Sequence, residues 1–168
     1  KKSRGAKAGT VTAARSAANG ASRGSARKKA GAPDGPRTLG EVLLTPTRIY
    51  AGNITRLLRS YRVKNVISGM AHITGSGLAE NLVRALPGNV DAVIDRASWP
   101  VPPVFTFLQK HGRIDDEEMR RVFNLGVGYC LIVRPTFAES VAEQLRKLGE
   151  RAFVIGEVVK GTGKVREK

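Results

Sequence analysis

Between Ala71 and Gly77 the chain reads Ala-His-Ile-Thr-Gly-Ser-Gly, with an apolar, β-branched run before it and a helical pattern after it. Glycines at a strand-to-helix turn let the backbone bend and aim several N–H groups at one point, which suits a phosphate or another anion. The same residues also make a tight turn with no ligand, and the glycines alone leave both readings open. Gly75 and Gly77 match the first two glycines of a dinucleotide fingerprint, and Asp95 stands 20 residues past Gly75, where a ribose-binding acid would be. Glu80 occupies the third position, where close helix–strand packing needs Gly or Ala, so a nucleotide-dehydrogenase reading is disfavoured.

His72 is the histidine in a plausible site, as a catalytic group or as the donor of a structural hydrogen bond. His111 falls at a helix end before Gly112, where it favours the helix dipole. Two scattered histidines and Cys130, which lies in an apolar strand and reads as core, do not make a zinc site, and no metal site is expected. Just before the first helical stripe, Thr47, Arg48 and Tyr50 bring a hydroxyl, a fixed cation and an aromatic ring close together. They read as a group of chemically capable side chains or as an ordinary loop entering that helix, in which Thr45 or Thr47 helps to set the turn.

Such residues need elements to hold them. In 51–62, Ile54, Leu57, Leu58 and Tyr61 form an i, i+3, i+4, i+7 stripe, the mark of an amphipathic helix. Strands are predicted at 66–73, 90–95, 126–133 and 153–159. Helices are predicted at 78–86, ending before Pro87-Gly88, and at 104–110, led in by Pro102-Pro103. Two more helices carry capping-box spacings, Asp115 with Glu118 and Thr136 with Glu139. The alternation predicts an α/β fold: a layered domain with a mostly four-stranded mixed sheet packed by helices.

The 168 residues are 41% hydrophobic and 26% charged, enough for one domain with a real core. That core is expected in residues 38–168. Residues 1–37 contain no Leu, Ile, Met, Phe, Tyr or Trp, and Val11 is their only branched aliphatic. They hold ten basic residues against Asp34 alone, so more than half of the chain's +15 charge sits there. Their Ala/Gly/Ser/Lys/Arg composition predicts a disordered basic tail ending at the turn Pro33-Asp34-Gly35-Pro36. The tail could be a weak, sequence-independent nucleic-acid-binding arm, a transit peptide or a solvated linker. The start on Lys1 suggests a processed or partial product. Lacking an apolar leader, a membrane-length apolar run or a pair of cysteines, the chain reads as soluble, cytoplasmic and independent of membranes.

Five ordered motifs resemble the phosphoribosylformylglycinamidine cyclo-ligase (AIR synthetase) family. They are Leu43-Leu44-Thr45-Pro46-Thr47-Arg48-Ile49-Tyr50, His72-Ile73-Thr74-Gly75, Glu80-Asn81 with Leu86-Pro87, Phe123-Asn124-Leu125-Gly126-Val127-Gly128, and Ile155-Gly156-Glu157-Val158. The resemblance covers about 38–160 and corresponds to the family's C-terminal domain only. It implies a ligase of purine biosynthesis that uses ATP and Mg2+ to close the imidazole ring of aminoimidazole ribonucleotide from formylglycinamidine ribonucleotide. By the same resemblance, Thr74, Gly75, Ser76 and Gly77 would hold a substrate phosphate with Asn81 beside them. Thr47, Arg48, Tyr50 and Asn124 would line the cleft, and His72 would neighbour the reacting groups. The family's N-terminal domain carries most ATP and Mg2+ contacts, so this chain is expected to act with a separate N-terminal half, or within a homodimer of a full enzyme. Ser76 stands where the family has a glycine, and would be strained at positive φ. The competing reading is a non-catalytic α/β module whose basic arm binds nucleic acid.

Overall fold

The computed structural model describes residues 9–15, 38–61 and 65–168. Six strands form one sheet: β1 (Gly9–Arg15), β2 (Ile67–His72), β3 (Val90–Ile94), β4 (Tyr129–Val133), β5 (Arg151–Lys160) and β6 (Val165–Glu167). Their order is β2-β4-β1-β5-β3-β6. All neighbours are antiparallel except β3 and β6, so the sheet is mixed as expected.

The sheet has six strands rather than four, and one of the two extra strands lies inside the segment expected to be a disordered tail. β1 pairs with β4 on one side, Thr12 opposite Leu131, and with β5 on the other, Thr12 opposite Val154. Val11, Thr12 and Ala13 are fully buried. The composition argument fails here because a central strand draws its stability from two backbone ladders and close packing, and small side chains suffice for both. The domain therefore does not begin at residue 38. The remaining residues of that segment, with the Pro33–Pro36 turn and the basic clusters, lie outside the described residues. β6, three residues long, is too short to register as a periodic run.

Helices cover both faces. On one, Leu78 and Leu82 of α3 (Gly77–Val83) pack with Val11, Ala13, Cys130, Ile132 and Ile155. On the other, Ile54 and Leu57 of α2 (Ala51–Ser60) and Val141, Ala142 and Leu145 of α6 (Ala138–Lys147) meet Leu131 and Val133. β4 alternates between the two clusters, as the period of a strand dictates. Burial pushes the Cys130 thiol far above the usual thiol range, which keeps it inert.

Three further helices lie outside these layers: α1 (Leu39–Leu43), α4 (Pro103–Gly112) and α5 (Asp116–Val122). The capping box expected at Thr136 and Glu139 does not form. Pro135 starts a 3-10 turn, α6 begins at Ala138, and Glu139 pairs instead with Arg146 at 2.6 Å. A full box occurs on α1, between Thr38 and Glu41. At α5, Asp115 accepts from the Glu118 N–H at 2.8 Å, while the Glu118 carboxylate turns away to Arg121.

The β5–β6 turn is built around one carboxylate. Asp91 is fully buried in β3; its Oδ1 accepts the N–H groups of Thr162 at 2.7 Å and Lys164 at 2.9 Å, and its Oδ2 accepts from Arg166. Those backbone bonds, helped by Arg166, outweigh burial and hold the carboxyl at about 2, below its ordinary 3.8. A lowered pKa means that ionised Asp91 stabilises the fold above the ordinary value, and that this contribution disappears as pH falls through the folded value. Asp91→Asn is therefore expected to lower the urea midpoint at pH 7, with the gap to wild type closing between about pH 4 and pH 2. An equal gap at both ends of that range would count against the assignment.

Candidate functional site

The residues between α1 and α2 run along one wall of a cleft of about 750 Å³. Thr47, Arg48 and Tyr50 line it from that segment, His72 and Ile73 from the end of β2, Asn124, Gly126 and Gly128 from the approach to β4, and Pro102 to Phe105 with Phe107 from the start of α4. Four separate stretches of sequence thus converge on one space.

Tyr50 sets the inner wall. Its ring meets His72 edge-on at 5.9 Å and Tyr129 at 5.6 Å, and His72 stacks on Tyr129 at 5.9 Å. The Tyr50 hydroxyl lies over Gly128, where a Cβ would fall 2.0 Å from it. Only glycine leaves that room. Burial raises the Tyr129 phenol above its ordinary pKa, so it stays a neutral ring supporting Tyr50 and His72.

Asn124 bends the chain into the cleft. Its Oδ1 accepts the Gly126 N–H at 3.0 Å and its carbonyl accepts from Val127 at 2.9 Å, across a turn in which Leu125 and Gly126 have φ of 46° and 98°. Its role is therefore partly to shape the turn that carries Gly126 and Gly128.

The loop from Thr74 to Gly77 follows directly on the cleft residues His72 and Ile73, but is not itself part of the lining. Ser76 has φ 72° and Gly77 φ 65°. Serine thus sits at the positive φ that the sequence marks as strained. A Cβ on Gly77 would fall 1.9 Å from the Arg120 carbonyl oxygen, whereas Gly75 faces open space. Asn81, expected beside a ligand, points into the loop itself. Its buried Nδ2 donates to the carbonyls of Gly75 at 2.8 Å and Gly77 at 2.7 Å. Two donors spent on the loop's own carbonyls make Asn81 a brace for the turn.

Arg48 has a partner that sequence reasoning missed. Its Nη2 and Nε donate to one oxygen of Glu150, Oε1, at 2.9 Å and 3.3 Å, and Asn53 donates to the same oxygen at 2.6 Å. Glu150 follows Gly149 at the end of α6, about a hundred residues from Arg48, and no local spacing could have paired them. The α4 wall was also missed. Pro102-Pro103 reads as a helix entry, and nothing in its pattern says which space that helix closes.

The described lining contains one permanent cation, Arg48, and no carboxylate. Mg2+ takes hard oxygen ligands, usually including a carboxylate, so these residues are not built to hold it. Among the described residues no cluster of three or more His, Cys, Asp or Glu could hold a metal ion, and no helix is long and apolar enough to cross a membrane. What the lining can do is place a largely apolar wall with aromatic faces beside one guanidinium. That arrangement suits a flat, polar ligand bearing an anionic group.

Comparison with known proteins agrees with the motifs. A family model described as AIR synthase related protein, C-terminal domain, matches residues 8–168, which takes in β1. The chain is 52% identical over 125 residues to phosphoribosylformylglycinamidine cyclo-ligase of Geobacillus kaustophilus (strain HTA426), covering 74% of this chain and 35% of that protein. With the enzyme of the same name from Bacillus subtilis (strain 168) it shares 46% over 127 residues, 76% of this chain and 36% of that one. The chain thus spans about a third of the length of these curated relatives. Among solved structures, E. coli HypE, a hydrogenase maturation protein, superposes with a TM-score of 0.51 at 24% identity, over 68% of this chain and 35% of that chain. A chain of a HypE-HypF complex does so with a TM-score of 0.56 at 24% identity, over 77% and 43%. These two likenesses are of fold.

Proposed function

Since the chain belongs to the AIR synthase related family, as its C-terminal domain, we propose that it forms the substrate-side half of a phosphoribosylformylglycinamidine cyclo-ligase. The observation that carries this reading is the convergence of Thr47, Arg48, Tyr50, His72 and Asn124, drawn from three of the family-like motifs, on one cleft.

In the reaction so assigned, the amide oxygen of formylglycinamidine ribonucleotide takes the γ-phosphoryl group of ATP, releasing ADP. A substrate nitrogen then attacks the activated carbon, the C–O bond to the phosphorylated oxygen breaks, and inorganic phosphate leaves as the imidazole ring closes. Each step is sensitive to water, because hydrolysis of the activated intermediate would waste ATP. The apolar α4 wall and the Tyr50–His72–Tyr129 cluster would exclude water and stack against the substrate's planar part. Arg48 would pair with an anionic group, and the N–H groups of the Thr74–Gly77 turn would hold the substrate phosphate. His72, exposed on the cleft side of its stack, is the group available to move a proton. ATP and Mg2+ would be held mainly by a separate N-terminal domain, since this lining has no carboxylate for the metal.

A covering domain also accounts for an otherwise unfavourable surface. Helix α1 buries none of its residues, and beside it Leu44 and Ile49 are 83% and 85% exposed. Leu39 and Phe107 are exposed at the cleft itself. Exposed apolar side chains at and beside a ligand site are what a second domain of the same enzyme would bury.

The test is formation of aminoimidazole ribonucleotide from formylglycinamidine ribonucleotide and Mg-ATP, by this chain alone and mixed with a cyclo-ligase N-terminal domain. Turnover on mixing only is the expected result. Turnover by the chain alone would place the ATP site within it, and silence in both with the domain folded would remove the ligase reading. The nucleic-acid-binding alternative is separated by neutralising Arg23, Arg27, Lys28 and Lys29. Deleting residues 1–37 would not serve, because it would pull β1 out of the sheet.

A further inference from the structure

Glu150 is not explained by the cleft, whose lining does not include it, nor by stability. Its side chain is 1% exposed, while that of Arg48 is 31% exposed. Among the described residues all its hydrogen bonds go to one oxygen: Oε1 takes Arg48 Nε, Arg48 Nη2 and Asn53 Nδ2, whereas the buried Oε2 has no partner there. Burying a carboxylate with one orphaned oxygen costs free energy that a single half-exposed ion pair does little more than offset. What such a pair supplies is geometry. Arg48 is gripped along its Nε–Nη2 edge, and Nη2 also reaches the Gly149 carbonyl at 3.5 Å. Among the described residues Nη1 has no hydrogen-bond partner, on a side chain that lines the cleft.

The grip is itself held from three directions. Gly149, with φ 87°, turns the chain sharply after α6, and the Glu150 N–H bonds back to the Leu145 carbonyl at 2.9 Å. Asn53, in the first turn of α2, bridges Oε1 and the Leu148 carbonyl at 3.2 Å. The end of α6, the start of α2 and the segment carrying Arg48 are thereby locked together through one atom.

We propose that Glu150 is the positioning residue of this site, holding Arg48 edge-on so that its free Nη1 is presented to an anionic group of the ligand. This rests on reading the cleft as the ligand site. The proposal has a sign that a simple charge argument reverses. If Glu150 acted only by neutralising Arg48, removing its charge would tighten anion binding. If it acts by orientation, removing it loosens Arg48 and weakens binding although the protein gains a positive charge.

The experiment compares wild type with Glu150→Gln, and with Asn53→Ser, which keeps both charges and removes only the brace. Two readouts are taken on the full chain. The first needs no ligand: the Arg48 Nε–Hε signal in a 15N–1H spectrum, expected to be resolved and slowly exchanging in wild type and lost to fast exchange in Glu150→Gln. The second is calorimetric affinity for formylglycinamidine ribonucleotide, expected to fall about tenfold in Glu150→Gln and less in Asn53→Ser. Unchanged Nε exchange in Glu150→Gln, or binding as tight as wild type or tighter, overturns the proposal. Should Glu150→Gln not fold, Asn53→Ser decides by the same two criteria. If wild type binds no substrate, the ligase reading fails, and the Nε signals still decide whether Glu150 fixes Arg48.

Discussion

Gly77→Ala is expected to destabilise the domain by about 3–5 kcal/mol, among the largest single-residue effects in this chain. Two independent causes add. Gly77 has φ 65°, where an alanine pays roughly 1 kcal/mol or more in backbone strain. Its new Cβ would also fall 1.9 Å from the Arg120 carbonyl oxygen, and backbone cannot yield as a side chain can. Relief requires α3 and α5 to separate, which opens the contact between Leu82 and the sheet. Urea unfolding followed by far-UV circular dichroism would measure it, and a midpoint within 0.5 kcal/mol of wild type would show that the two helices are not packed as described. Ser76, immediately before, already occupies a left-handed conformation. The turn therefore carries strain before any substitution and has little margin to absorb more.

Gly128→Ala should leave the fold standing and remove the site. The added Cβ would lie 2.0 Å from the Tyr50 hydroxyl and 2.7 Å from the ring carbon that bears it, so the ring must move. Packed against His72 and Tyr129, it has its open direction toward the cleft. Affinity for formylglycinamidine ribonucleotide is expected to fall more than tenfold, with a stability cost of only about 1–3 kcal/mol, because the tip of a side chain gives way rather than a backbone. Calorimetric titration with a parallel thermal melt separates the two quantities. Undiminished binding would show that the Tyr50 ring does not form the wall on which the ligand rests.

What could be read in the sequence divides along physical lines. Helix α2, strand β4 and the helix beginning at Gly77 were legible, because large apolar side chains recur there at the period of the element. The Thr47–Arg48–Tyr50 group and His72 were legible as residue types, and they do meet in one cleft. β1 was not legible, because Gly, Thr and Ala generate no hydrophobic signal. Its only cue was the β-branched run Thr10-Val11-Thr12 amid glycine and alanine. Asn81 could be placed at the turn but not aimed, since whether a carboxamide faces a ligand or its own backbone depends on loop dihedrals that composition does not set. Glu150 was invisible as a functional residue, because the arginine it holds lies in a distant segment and the contact exists only once α6 has packed against α2.

The position of β1 has a consequence for how the chain comes into being. The strand leaves the ribosome more than a hundred residues ahead of both of its partners: Thr10 pairs with Val133, and Thr12 with Val154. At ordinary synthesis rates of about 5–20 residues per second, β1 waits on the order of ten seconds before a ladder exists for it to join. The sheet cannot assemble progressively from its N-terminus; its middle is left open until β5 has emerged, and folding is paced by that late, long-range closure. A strand of valine and isoleucine exposed for so long would invite pairing with other nascent chains. One made mostly of glycine, alanine and threonine, with Val11 as its one branched aliphatic and a strongly basic neighbourhood, can wait in water. The same modest side chains that conceal β1 from a reading of hydrophobicity keep it soluble until its place in the sheet is ready.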